Sequence, residues 1–139
     1  MTDAGQPDDP RRRWWDAMKR AFDVPEGESD ENARMVIVGA TIRDTGEFLY
    51  VDGTVAVTAM IDATLDLGSA GELDRLVAEE EPLYLNAASA AEDAAYNRAH
   101  DLGWRNTKDP MTLMKLREVS DRLISKVIDS EREGPPRSP

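Results

Sequence analysis

From residue 110 onward the chain repeats its apolar positions with a helical period. Leu113, Leu116, Val119, Leu123, Ile124, Val127 and Ile128 recur at three- and four-residue steps and gather on one broad face. Asp109 stands where a cap belongs, Pro110 suits the first helical position, and Gly134-Pro135-Pro136 stops the run. The pattern predicts one continuous helix over residues 109–133, with Glu118–Arg122 and Arg117–Asp121 pairs on its wet side. Upstream, the alanine-rich stretch 83–102 reads as a second helix, stopped by Gly103. Ser69-Ala70-Gly71-Glu72 reads as a capping box that opens a third, with Leu73, Leu76 and Val77 on its buried stripe and Pro82 at its end. Near the start, RRRWWDAMKRAFD (residues 11–23) places Trp14, Met18 and Phe22 at i, i+4 and i+8. That stripe predicts a short amphipathic helix, ended before Pro25.

Residues 35–67 carry a more ambiguous pattern. Valine, isoleucine and threonine abound, and these suit a pleated, half-buried surface. Val55, Val57, Ala59 and Ile61 alternate with Thr54, Ala56, Thr58 and Met60, and Asp52-Gly53 is a hairpin signal. The expectation is a three-stranded meander over about residues 35–60 within a mainly α fold, a small helical bundle. The alternative is an all-α bundle, with helices over 30–44 and 53–67 capped by Asp30 and Asp52 and closed by Gly46 and Gly68.

A chain of 139 residues favours one domain. The expected organisation is a disordered arm over residues 1–10, a single globular domain over 11–133 and a disordered tail over 134–139. Inside the domain, 11–23 is the basic helix, 24–33 a linker and 35–133 the body. The longest unbroken apolar run is Met35–Val38, too short to span a bilayer, and the first ten residues are acidic. These features point to a cytoplasmic protein without a membrane span.

The charge pattern changes the picture most. Net charge is −11, which makes direct nucleic-acid binding unlikely, because phosphate neutralisation supplies most of that affinity. Yet residues 11–20 carry +4, and residues 11–23 hold five of the 17 basic residues and two of the three tryptophans. Tryptophan and arginine are over-represented among interface hot spots. Arg11, Arg12, Arg13, Trp14, Trp15, Lys19 and Arg20 are therefore the candidate contact residues, whether with a partner protein or with the acidic body of the same chain.

Chemistry is narrowed by what is missing. The chain has no cysteine and one histidine, His100. Thiol nucleophiles and cysteine-built metal sites are thereby excluded. Asp44-Thr45-Gly46 resembles the aspartic-protease triplet over three residues, but one copy supplies half a dyad and its flanks, Arg43 and Glu47, depart from the family pattern. A turn is the plainer reading. Met35–Gly39 lacks the following glycines that would let a backbone approach a pyrophosphate. Glu92, Tyr96 and His100 share one helical face, with Asp93 on the adjacent row. They form an alternative polar face for a small carboxylate-dependent enzyme. Glu92 and His100 lie about 12 Å apart along the axis, so they do not act on one atom. Glu79–Glu81 point in different directions, and Pro136–Pro139 is a weak P-x-x-P match.

The sequence thus predicts a non-enzymatic acidic binding or regulatory protein, with no cofactor or metal. Its expected partner is another protein, for example one with a basic surface that the acidic body engages by mimicry of nucleic acid. Homo-oligomers are compatible with the pattern.

Overall fold

The computed structural model of the protein describes residues 9–45, 53–79, 81–103 and 110–133. Among the described residues are six helices and no strand: α1 (Pro10–Ala21), α2 (Asp30–Thr45), α3 (Gly53–Ser69), α4 (Glu72–Ala78), α5 (Glu81–Asp101) and α6 (Pro110–Glu133). The meander expected over residues 35–60 is incorrect, and the all-α alternative describes the fold. Gly46 and Asp52, which would have punctuated the strands, lie outside the described residues.

The reason is visible in what each helix buries. On α2, Ala33, Ile37, Val38 and Thr41 are buried, at i, i+4, i+5 and i+8. On α3, Ala56, Val57, Ala59, Met60, Ile61, Ala63, Thr64 and Leu65 are buried, which is most of its circumference. Period-2 alternation across α3 arises because nearly every position in the run is apolar or small. Tertiary packing on all sides then decides, over a modest strand preference of the β-branched residues. Thr64 fits the interior because its hydroxyl donates to the Met60 carbonyl at 2.9 Å.

Helix ends refine the expected boundaries. Asp9 accepts a hydrogen bond from the Arg11 backbone N–H at 3.0 Å and Pro10 opens α1, so residue 10 belongs to the helix and not to an arm. Asp23 takes a left-handed conformation, φ 56°, and the Val24 N–H donates back to the Lys19 carbonyl at 3.0 Å. That is the glycine-type helix stop, made here by aspartate. Part of the expected 24–33 linker is helical, because Ser29 caps α2 by accepting from the Asn32 N–H at 3.1 Å. The capping box at Ser69–Glu72 does not form: Ser69 ends α3, and Gly71, with φ 85°, starts α4 without a side-chain cap. Pro82 falls in the first turn of α5 and is not the end of α4.

Helix α3 is the centre of the bundle. Ala87, Ala88, Ala91, Ala95 and Ala99 are buried on α5, which packs on α3. Their small side chains permit close approach of the two backbones. Helix α6 buries Leu116, Val119, Leu123, Ile124, Val127 and Ile128, as its periodicity predicted, and packs on α1 and α5. Helix α1 lies against both α3 and α6. Its Trp14 is 0% exposed and sits over Gly68 of α3. A β-carbon at Gly68 would stand 2.6 Å from Trp14 Cδ1, closer than packed carbons approach. Gly68→Ala should therefore destabilise the protein by about 1–3 kcal/mol in urea unfolding, the usual cost of overpacking. An unchanged midpoint would mean that Trp14 is not seated there.

Candidate interaction surface

The basic helix turns most of its recognition chemistry inward. Trp14 donates its indole N–H to Asp74 Oδ1 at 2.6 Å. Arg13 pairs with the same Asp74 carboxylate and, through Nε, with Glu131 Oε2 of α6 at 2.7 Å. Burial works against the Arg13 charge, but the two carboxylates outweigh it and hold its pKa above the ordinary value. Arg20 donates from Nη2 to the Ser130 carbonyl at 3.1 Å and lies 4.0 Å from Glu131. One carboxylate of α6 thus serves two arginines of α1. Arg11 reaches Asp66 of α3 at 2.9 Å, and Asp66 also pairs with Arg98 of α5.

Trp15 points elsewhere. Its indole N–H donates to Asp30 Oδ1 at 2.9 Å, joining α1 to the start of α2. Lys19 and Arg34 lie 5.7 and 5.9 Å from its ring, within cation–π range. Arg34 is itself paired with Asp62. Arg12 is exposed and makes no ion pair among the described residues. Trp15, Arg12, Arg34, Asp30 and Leu65 border a shallow cleft of about 270 Å³. Of the seven residues singled out in this segment, then, Arg11, Arg13, Trp14, Trp15 and Arg20 each have a partner within the fold. Lys19 contacts Trp15 and Asp16, and Arg12 alone faces outward unpaired among the described residues.

The alternative polar face does not converge. Asp93 and His100 are exposed, and Tyr96 and Glu92 are half-buried. Glu92 turns toward α6, where its Oε1 lies 3.7 Å from Arg117 Nη1. Burial raises the Glu92 pKa; Arg117 pulls it down incompletely, and Asp93 and Asp121 push it further up. Asp121 is likewise raised by burial, against Arg117 and with Glu118 adding to the rise. Asp121 Oδ1 is buried without a hydrogen-bond partner among the described residues. Asp44, of the protease-like triplet, lies in the last turn of α2 and accepts from Lys126 at 3.0 Å; Asp44-Thr45 is helical and not a turn between strands. Among the described residues, no three histidine, aspartate or glutamate side chains are placed to hold a metal ion.

Sequence reasoning passed over the face beside Glu92. Met111 and Met114 are each 63% exposed, at the start of α6. With Pro110, Leu113, Glu92, Arg117 and Glu118, Met114 borders an open cleft of about 500 Å³ between α5 and α6. The signal was present as two methionines outside the buried stripe of an otherwise amphipathic helix.

No protein-family model, curated protein or solved structure matches the chain.

Two measurements check this assignment. Trp14→Ala should cost about 3–5 kcal/mol in urea unfolding, as for other buried aromatics, while Trp15→Ala should cost less than about 1 kcal/mol. Equal losses would contradict the full burial of Trp14 against the partial burial of Trp15. The raised carboxyls make a second case. Glu92 and Asp121 protonate more readily in the folded protein than in the unfolded chain. Their charged forms therefore cost stability at neutral pH, and the cost is relieved as pH falls through the raised values. Glu92→Gln should hold or increase stability at neutral pH and reduce the gain on mild acidification. A less stable variant at neutral pH, with the acid limb unchanged, would show that the Arg117 contact outweighs burial.

Proposed function

We propose that this chain is a non-enzymatic, acidic binding or regulatory protein that acts in the cytoplasm by contact with another protein bearing a basic surface. The observation that carries this reading is the inward commitment of α1. Arg13 and Arg20 are held by Glu131, Arg13 also by Asp74, and Arg11 by Asp66. The segment that would have drawn the protein toward acidic partners is thereby largely neutralised. A net charge of −11 remains to be expressed outward. Such a surface attracts cationic partners over roughly a Debye length and repels phosphate backbones. Among the described residues no helix is long and apolar enough to cross a membrane. Blocking a DNA-binding protein by presenting carboxylates in place of phosphates is one way such a surface would act.

Affinity capture from source lysate at two salt concentrations, with identification of bound protein and nucleic acid, tests this reading. Proteins with basic surfaces should be recovered at low salt and lost at high salt. In parallel, random duplex DNA should bind only weakly at physiological salt. Submicromolar duplex binding would mean that α1 leaves the body and works as a cationic arm, and the proposal would fall.

A further inference from the structure

The groove between α5 and the first half of α6 combines two properties that call for one kind of occupant. Its apolar side is made by Pro110, Leu113 and Met114, with Met111 adjacent and as exposed as Met114. Methionine is unbranched and polarisable, so it adapts to different apolar side chains and is common at binding surfaces. Its other side is acidic. Glu92 and Glu118 line the cleft, and Asp93 and Asp121 stand close enough to act on the Glu92 carboxyl. Among the described residues that line the cleft, Arg117 is the cation, and it stands 3.7 Å from Glu92, longer than a hydrogen bond.

Three occupants can be compared on this chemistry. A wholly apolar segment would cover the methionines but desolvate Glu92 and Glu118 without compensation. A second copy of the chain would bring another net charge of −11 against the same carboxylates. A basic amphipathic helix would lay leucine-like side chains on the methionines and place ammonium or guanidinium groups at the carboxylates. Lysine and arginine also carry aliphatic stems that lie along apolar surface while the head stays wet. From Pro110 to Glu118 the groove runs about 12 Å along α6, the length of a little over two helical turns.

We propose that the α5–α6 groove is the docking site for a basic amphipathic helix of a partner protein, with apolar side chains on Met111, Leu113 and Met114 and cationic side chains at Glu92 and Glu118. This rests on the acidic-surface reading given above and assigns it a place.

The test uses the full chain and three fluorescein-labelled 14-residue peptides: a leucine–lysine peptide in helical amphipathic order, the same composition scrambled, and a leucine–glutamate counterpart. Fluorescence anisotropy should show the ordered leucine–lysine peptide binding about tenfold tighter than the scrambled one, and the glutamate peptide not binding. The double variant M111Q/M114Q changes two exposed side chains and should keep its thermal midpoint while losing about tenfold in affinity, a loss of about 1.4 kcal/mol. Methyl resonances of Met111 and Met114 should shift with the ordered peptide only. If the double variant binds as tightly as the parent while salt still weakens binding, the groove is not the site and the acidic-surface reading stands alone. If neither lysine peptide binds the parent chain, both fall. A parent chain that sediments as a dimer, converted to monomer by M111Q/M114Q, would assign the groove to a second copy and overturn the proposal.

Discussion

The burial of Trp14 sets the arrangement of everything around it. A large aromatic ring with 0% exposure brings α1 down onto α3 until only glycine is tolerated at position 68. The indole N–H then needs a partner in that interior, and Asp74 supplies it at 2.6 Å. Asp74 is a charged acceptor close to the core, which calls for a cation, and Arg13 is the next residue along the helix. Arg13 in turn is long enough to reach Glu131, so α6 is drawn to the same point. One apolar burial on α3 thus recruits hydrogen bonds and ion pairs from two further helices, α4 and α6.

This ordering explains how a basic segment and an acidic body belong to one fold. Surface ion pairs contribute little individually, about 0–1 kcal/mol. They do not hold α1 in place by themselves. The tryptophan, Met18 and Phe22 supply the apolar contact, and the carboxylates offset the penalty that unpaired arginines would meet at a half-buried interface. The result is lopsided. The cations of α1 other than Arg12 meet partners such as Asp66, Asp74 and Glu131, while in the α5–α6 cleft Glu92 and Glu118 stand beside Arg117. Burial raises the Glu92 and Asp121 carboxyls there, which is how a group behaves where its counter-charge is insufficient.

Legibility in the sequence followed the physics of each segment. Helix α6 was readable because only one face is buried, so its period survives in the composition. Helix α1 was readable for the same reason: Trp14, Met18 and Phe22 are all buried. Helix α3 was not, because a helix covered on most sides loses its polar face and with it the period of 3.6. What remained was a run of small and branched residues whose accidental alternation resembled a strand. The break before Pro25 and, in the all-α alternative, a helix from residue 30 were readable, but the left-handed stop at Asp23 and the cap at Ser29 were not, because each uses a residue common in ordinary loops. At the candidate site, the sequence singled out Trp14 and Arg13 as important but could not decide between self and partner. That choice depends on Asp74 and Glu131, more than fifty residues away in the chain. The methionine face escaped notice because exposure is a property of the neighbours of Met111 and Met114, and not of the residues themselves.

The contact between α1 and α6 closes a long span of chain. Arg20 donates to the carbonyl of Ser130, 110 residues later. During synthesis α1 emerges well before its partners on α6 are added. Through that interval Arg13 and Arg20 lack Glu131, and Trp14 lacks a completed seat. Until α6 is in place, the basic, tryptophan-bearing stretch 11–20, +4 within a chain of net charge −11, is therefore open to other contacts. Anionic surfaces meet in that interval a stretch that the folded domain withdraws by pairing it with Glu131.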